Sequence, residues 1–213
     1  MAKIPPTQTW SIDTTFKYVG GDPGLDLVNT VDWTRRGLEE DRLPDFASLT
    51  RWAEGAGVIS AREGTRLRRQ GGAHPRRAER ALGSARRLRW VLSRVFGSVA
   101  AGAHEPAAWQ ELNSALAEAL THLRLDAPPG GEMAEWTWDG REGDLGWFLW
   151  PVIRQAADLL ASEEATRIRM CDGKDCGWVY VDRSRNGLRR WCDMATCGTR
   201  EKTRRRRKGS RAE

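Results

Sequence analysis

The sequence lacks the features that several protein classes require. Its longest nearly apolar stretch, Trp147 to Ile153, is too short to cross a bilayer. The opening residues, Met1 to Pro6, contain no apolar run leading to a cleavage site, which predicts a cytoplasmic protein without a signal peptide. The three histidines lack metal-ligand spacing, and neither a G-x-S-x-G elbow nor a Walker A motif occurs. These absences argue against a membrane protein and against an enzyme.

Cysteine is also scarce, and its distribution is informative. The four cysteines fall within 27 residues, as Cys171-x4-Cys176, fifteen intervening residues and Cys192-x4-Cys197. A protein held together by disulfides would spread them through the chain, whereas two close pairs suit tetrahedral coordination. Four thiolates leave no open coordination position, so the spacing predicts one structural zinc ion per chain. An iron–sulfur cluster and two disulfides remain alternatives.

Positive charge is concentrated at the end of the chain. Residues 166–213 hold 15 Lys and Arg against 6 Asp and Glu, a net charge of +9, while residues 1–165 carry a net −3. Such an asymmetry predicts an acidic partner for the last quarter of the chain, most often nucleic acid. A solvated basic tail is the alternative.

The first 165 residues have the apolar periodicity of a mainly helical domain. Helices are predicted from Pro23 to near Trp33, from Phe46 to Glu54, from Ser60 onward, from Pro75 to Ala101, from Pro106 to about Thr121 and from Leu145 to Ala161. Alternating residues at 122–126 and 135–139 predict a short hairpin. The fold class is therefore a mainly α domain with a small β-hairpin (α+β) over 1–165, followed by a module over 166–213.

The module predicts a small finger. Residues 178–182 alternate like a strand, 183–187 form a polar turn ending in Asn-Gly, and 189–191 would be the returning strand. A helix then begins after Cys192, carries Cys197 in an early turn and continues toward Lys208. A knuckle, a β-hairpin and a ligand-bearing helix together predict a treble-clef-like zinc finger.

These residues carry a family resemblance. Cys-x4-Cys-Gly-Trp, Asp-x-Ser-Arg-Asn-Gly and Arg-Arg-Trp-Cys-x-Met-x-x-Cys-Gly-x-Arg-x-Lys, from Cys171 to about Arg207, resemble the CGNR zinc finger of bacteria. Thr199 stands where that family usually has Asn. Residues 18–21 (Tyr-Val-Gly-Gly), 25–31 (Leu-Asp-Leu-Val-Asn-Thr-Val) and 157–160 (Ala-Asp-Leu-Leu) resemble its partner, the ABATE domain. The resemblance implies a stress-related transcription regulator with a DNA-binding finger and a sensing domain.

The candidate nucleic-acid contacts are the basic residues of the hairpin, terminal helix and tail, together with one threonine. They are Arg183, Arg185, Arg189, Arg190, Thr199, Arg200, Lys202, Arg204, Arg205, Arg206 and Arg207. Such a cluster can neutralise phosphates, and a helix in the major groove can place Arg against guanine. In the ABATE-like motif, Asp26, Asn29 and Thr30 are candidate ligand residues.

Several alternatives remain open for the partners. Double-stranded DNA is the predicted partner, and RNA is the main rival, with Trp178 and Trp191 available to stack on bases unless they pack over the zinc knuckles. The module could instead contact a protein. The first domain would respond to an unknown small molecule or protein effector, or hold a cryptic enzyme. The chain could form a homodimer, and no membrane partner is expected.

Overall fold

The computed structural model describes residues 16–34, 37–127, 130 and 133–209. Its α-helices are α1 (Pro23–Val28), α2 (Phe46–Gly55), α3 (Ala61–Ala73), α4 (Pro75–Ala100), α5 (Pro106–Leu120), α6 (Leu149–Leu160) and α7 (Thr199–Gly209). Its strands pair as three antiparallel hairpins: β1 (Val31–Thr34) with β2 (Gly37–Asp41), β3 (Leu123–Asp126) with β4 (Glu135–Trp138), and β5 (Ile168–Met170) with β6 (Val179–Val181). A 3-10 turn (Glu163–Arg167) precedes β5, and a π-helical turn (Met194–Gly198) precedes α7. Among these helices, none has both the length and the apolar composition needed to span a bilayer.

The long helix α4 lies at the centre of the fold, with α1, α2, α3 and α5 packed around it. Its apolar residues recur every three or four positions from Ala78 to Phe96 and are buried, which confirms the periodicity seen in the sequence. Pro75 occupies the first position, where its missing N–H costs no helical hydrogen bond. Helix α6 packs against α1 and α5 and closes the core.

The first predicted helix is wrong in its length. We expected it to reach Trp33, but α1 ends at Val28 and the chain turns into β1. Asn29 occupies the C-cap position, and the Thr30 hydroxyl donates a hydrogen bond of 2.7 Å to the Leu27 carbonyl. A hydroxyl that bonds a nearby backbone carbonyl competes with helix continuation, and β-branched residues favour the extended chain that follows.

A buried ion pair joins α4 to the end of β2. Arg89 and Asp41 form two hydrogen bonds of 2.7 Å each, and Arg89 also donates 3.0 Å to the Thr30 hydroxyl. Burial raises the pKa of Asp41, but the hydrogen bonds and charge of Arg89 outweigh it and hold this pKa below its usual range. The sequence does not predict that Arg89 is buried, because its charge lies among the apolar positions of α4.

The hairpin predicted between the helices is confirmed. Strands β3 and β4 pair in the register Leu123 with Trp138 and Leu125 with Trp136. Helix α6 begins at Leu149 rather than at the predicted Leu145. Residues 145–148 form turns instead, and their side chains are buried.

Strand β6 is the point at which the C-terminal module joins the helical part of the chain before residue 166, which we call the body. The predicted hairpin between 178–182 and 189–191 is wrong: β6 pairs with β5, and residues 189–191 form no strand. The other edge of β6 is already taken, since the Val181 N–H donates to the Gly20 carbonyl and Val179 bonds with the Asn29 side chain. No free edge of β6 therefore remains for residues 189–191.

The residues of β6 alternate between two cores. Val179 and Val181 join the main core of the body, as does Ile168 of β5. Tyr180 points the other way, into a small cluster formed with Trp178 and the cysteines. The segment after α6 is consequently not a loose connection, because the module contributes side chains to the principal core.

Candidate metal centre and nucleic-acid interface

The four cysteines come together from separate parts of the module. Cys171 follows β5, Cys176 ends the turn before β6, and Cys197 lies in the π-helical turn. Their sulfur atoms all lie within 4.8 Å of one another, with 3.6 Å between Cys192 and Cys197 and 3.7 Å between Cys176 and Cys192. A tetrahedron with zinc–sulfur bonds of about 2.3 Å has sulfur–sulfur edges of about 3.8 Å. The arrangement fits the coordination sphere of zinc.

Backbone N–H groups support the sulfur atoms. Cys171 accepts hydrogen bonds from the N–H groups of Gly173 (3.4 Å) and Cys192 (3.2 Å). Donation from these backbone N–H groups favours the thiolate form of Cys171 that a metal binds. A Cβ atom on Gly173 would lie 3.1 Å from the Cys197 sulfur, so glycine leaves the sulfur cradle clear.

The donor set defines the role of the metal. Four buried or half-buried thiolates are soft ligands that select zinc, and they fill a tetrahedral sphere completely. No coordination position is left for water or substrate. The four cysteines therefore form the site of one structural zinc ion.

An aspartate organises the turn between the cysteine pairs. Asp182 accepts hydrogen bonds from the backbone N–H groups of Ser184 (2.9 Å) and Arg189 (3.0 Å). Gly187 has φ = 65°, the left-handed conformation that the Asn-Gly pair predicts. The Tyr180 hydroxyl donates 2.8 Å to the Arg189 carbonyl. These bonds hold the turn between the cysteine pairs in place.

A set of backbone and amide groups in the body receives the module, and we name it the docking edge: Val19, Gly20, Gly21, Asn29 and Val31. The Asn29 amide bonds Val179 twice, accepting from its N–H at 2.9 Å and donating to its carbonyl at 2.8 Å. The Trp178 indole N–H donates 3.0 Å to the Val31 carbonyl. Asn29 thus supplies to β6 the pair of hydrogen bonds that a neighbouring strand would supply.

Two family models match the chain over nearly all its described length. Residues 21–163 match ABATE, described as "putative stress-induced transcription regulator". The chain belongs to the ABATE family. Residues 167–209 match the CGNR zinc finger, in the order that the sequence predicts. Both families are of the regulator and zinc-finger type rather than known enzyme families. No curated protein matches the chain.

The ABATE motif residues proposed for ligand binding are all engaged within the chain. Asp26 accepts a hydrogen bond of 2.8 Å from the Gly20 N–H, and Thr30 accepts from Arg89. Asn29 holds the CGNR finger. All three side chains are buried. The motif therefore joins the finger to the ABATE region, and only the tertiary contact with β6 shows this.

Several predicted nucleic-acid contacts of the CGNR finger are occupied by acceptors of the chain. Arg183 binds Glu164 through two hydrogen bonds of 2.7 and 2.8 Å and the Gly21 carbonyl at 2.9 Å. Arg190 pairs with Asp172 at 2.7 Å. These two arginines remain exposed, so their outer faces are open to solvent.

Arg189 has the most internal role among the predicted contacts. Its guanidinium lies 4.0 Å from the centre of the Tyr180 ring. It donates to the backbone carbonyls of Val19 (3.2 Å), Trp191 (3.0 Å) and Cys192. A guanidinium with three carbonyl acceptors and an aromatic face is committed to holding the finger together.

The remaining predicted contacts lie on the turn and on α7. Arg185, Arg200, Lys202, Arg206 and Arg207 are exposed and form no hydrogen bond or ion pair with any described residue. Arg204 pairs with Glu201 at 2.7 Å. Arg205 lies within α7, but its side chain is outside the described residues.

Helix α7 has a buried position on one side and an exposed face on the other. Glu201 is buried, whereas Thr199, Thr203 and Arg206 lie on the opposite side and are exposed. A shallow groove of about 600 Å³ beside the helix is lined by Thr196, Thr199, Arg200, Thr203, Arg204 and Arg207. Thr196 and Thr203 were not among the predicted contacts, although their three- and four-residue spacing from Thr199 places them on the same face.

Proposed function

We propose that this protein is a bacterial transcription regulator that acts in the cytoplasm and binds double-stranded DNA through α7 of its CGNR finger. The observation that supports this most directly is the row of cationic side chains on an exposed helix, which have no hydrogen-bond or ion-pair partner among the described residues. Arg200, Lys202, Arg206 and Arg207 can each neutralise a phosphate and release its counterion. Only one acidic residue, Glu201, lies in the helix, and it is buried.

The shape of α7 suits the major groove. The helix has 11 residues and follows directly from the turn that holds Cys197, so the zinc site fixes its first turn. A major groove admits one α-helix, and arginine can bind guanine there through two hydrogen bonds. Thr199 and Thr203 carry methyl groups that can contact thymine. We assign base contacts to Thr199, Thr203 and Arg200, and phosphate contacts to Lys202, Arg206 and Arg207.

The contact between the finger and the ABATE region gives that region a means of controlling α7. The docking edge holds β6 in place, and Tyr180 of β6 packs in the same small cluster as the cysteines. A small molecule or protein that alters the docking edge would change the direction in which α7 projects. We propose regulation of this kind, with the effector bound by the ABATE region.

RNA binding is the second candidate, and the tryptophans count against it. Recognition of single-stranded RNA relies on exposed aromatic rings that stack on bases. Trp178 is buried and its indole N–H is bonded to the body. Trp191 is half-buried with Arg190 stacked 5.0 Å from its ring centre. Neither ring is free to receive a base.

An enzyme in the ABATE region has less support than regulation. His122 stacks on Trp150 with 3.7 Å between the ring centres, and His104 stacks on Trp109. His74 lies between α3 and α4. The three histidines thus lie on different elements, and the thiols form the metal site. We propose a regulatory rather than a catalytic role.

The decisive experiment is selection from random duplex DNA by the zinc-loaded full chain at roughly 0.2 M salt, where purely electrostatic binding is weakened. We expect one enriched sequence motif. Recovery of fragments without a common motif, or no recovery, would overturn sequence-specific regulation.

A pair of variants distinguishes contact from support within the finger. Arg200→Ala should weaken binding to the selected duplex by about tenfold, the cost of one good base contact, with zinc content unchanged. Arg189→Ala should lower the unfolding midpoint, since it leaves three carbonyls without their donor. Arg76→Ala, an exposed arginine on α4, is the matched control. An Arg200→Ala variant that binds as tightly as the control would remove Arg200 from the interface.

A further inference from the structure

A cleft of about 990 Å³ lies on the opposite side of α3 from its buried face, between this helix and the loop that follows β4. Its α3 wall carries Arg62, Arg66 and Arg69, and its other wall carries Trp138 and Arg141. The volume is within the range of sites that bind small molecules. None of these residues belongs to the zinc site or to α7.

The three arginines on α3 form a row, in which Arg66 acts on Glu63 through its charge alone. They are spaced by four and three residues, which places them on one face of the helix. All three are exposed, and none forms a hydrogen bond or ion pair with a described residue. Like charges at such spacings destabilise a helix. The row therefore raises the positive potential of the cleft and leaves its guanidinium groups free for an external anion.

Three acidic residues line the cleft, Glu63, Asp139 and Glu142, and the first two are engaged locally. Glu63 accepts hydrogen bonds from the backbone N–H and hydroxyl of Ser60, both at 2.8 Å. Asp139 accepts 2.7 Å from the Gly140 N–H and lies 3.9 Å from Arg124. Their charges are thus partly satisfied locally, and the four arginines that line the cleft, Arg62, Arg66, Arg69 and Arg141, outnumber its three carboxylates.

Arg141 is held in position across the cleft. It donates 3.0 Å to the Trp138 carbonyl, lies 4.6 Å from the centre of the Trp147 ring, and approaches Glu63 at 3.8 Å. The loop that carries it is fixed in turn, because Arg77 donates to the carbonyls of Glu142 and Gly143. A positioned guanidinium opposite a row of free ones can bind one multivalent anion from both sides.

We propose that this cleft binds a small phosphorylated molecule that carries a planar ring, of which a nucleotide is the simplest kind. Guanidinium groups match phosphate oxygens in geometry as well as in charge. The half-buried indole of Trp138 supplies an apolar wall for the ring. The proposal goes beyond DNA binding and does not depend on it, since the site belongs to the ABATE region.

The test is calorimetric titration of the zinc-loaded full chain with ATP and with pyrophosphate at about 0.15 M salt. We expect both to bind, with ATP the tighter. The double variant Arg62→Gln with Arg66→Gln should weaken both by about tenfold or more, because it removes two charge-assisted phosphate contacts. Trp138→Leu should remove the advantage of ATP over pyrophosphate.

Two matched controls separate this site from general attraction to a basic protein. Arg76→Gln with Arg80→Gln removes the same charge from exposed positions on α4 outside the cleft. Arg206→Gln with Arg207→Gln removes it from α7. Both should bind ATP like the parent chain. No binding of either anion, or an equal loss in a control pair, would overturn the site, and equal affinity for ATP and pyrophosphate would overturn the ring-binding role of Trp138. Unfolding midpoints of all variants establish that each is folded.

Discussion

At the scale of the residue, Asp26 connects the stability of the chain to pH. Its buried carboxylate accepts backbone N–H bonds from the segment that forms the docking edge. Burial, and then the nearby charge of Asp22, raise the pKa of Asp26 to about 6, while the N–H bonds of Gly20 and Val19 oppose the shift. Gly20 has to be glycine there, because a Cβ atom would lie 2.9 Å from the carboxylate.

The sign of the pH effect follows from linkage. The folded chain holds the Asp26 proton more tightly than the unfolded chain, so this residue contributes stability that is present below about pH 4 and is lost as the pH rises through about 6. A shift of two pKa units corresponds to about 3 kcal/mol. Asp26→Asn should therefore gain about that much free energy of unfolding over the parent between pH 4 and pH 7, measured by urea unfolding. Parallel pH profiles of the parent and the variant would contradict the raised pKa.

At the scale of the element, β6 is stabilised by a neighbouring strand at one edge and by hydrogen bonds from α1 and the segment before it at the other. Strand β5 pairs with one edge, while the Asn29 amide and the Gly20 carbonyl take the other. Its side chains divide between two cores, so a strand of three residues links the zinc cluster to α4. Such a short strand would be marginal alone, and its stability depends on these neighbours.

Removing the side-chain amide of Asn29 should destabilise the attachment of the finger. Asn29→Ala leaves the N–H and carbonyl of Val179 buried without partners, which should cost about 3 kcal/mol. Hydrogen exchange of the Val179 and Val181 amides should accelerate, and zinc should remain bound because no cysteine is changed. Asn113→Ala, an exposed asparagine on α5, is the control. Unchanged exchange rates in Asn29→Ala would show that β5 alone holds β6.

At the scale of the whole molecule, the CGNR finger and the ABATE region share a principal core. Ile168, Val179 and Val181 of the finger pack there. Binding of metal at the four cysteines therefore stabilises more than the finger, because order in the finger supports side chains of the body. This connection is also the physical basis for the proposed control of α7 by the ABATE region.

Chelation of zinc should consequently destabilise the entire described fold. Zinc in free excess of roughly 1,000 times its Kd contributes about 4 kcal/mol, which corresponds to a midpoint change of roughly 10 °C for a chain of this size. We expect a single transition that moves downward in a calorimetric scan when the metal is removed. Cys192→Ser should reproduce the shift without chelator. If the unfolding midpoint of the body did not change when zinc is removed, this result would contradict the shared core.

Local patterns determined much of this protein by themselves. The cysteine spacing determined the zinc site, because each pair needs only a tight turn to present two thiolates. Apolar periodicity determined α4, because this helix buries the face that its sequence makes apolar. Alternating residues determined the hairpin of β3 and β4, although Leu125 and Trp136 on its apolar face are exposed. The Asn-Gly pair determined the turn at Gly187.

Long-range contacts decided the rest, since a hydrogen bond between distant residues leaves no periodic trace in a sequence. The sequence predicts Asn29 as a ligand residue, and only the structure shows that it bonds β6, 150 positions away. The strand partner of β6 depended on which edge the body had already occupied. Arg189 and Arg200 belong to one basic cluster in the sequence, and only the fold separates them: three internal carbonyls surround the first, while the second is exposed on α7.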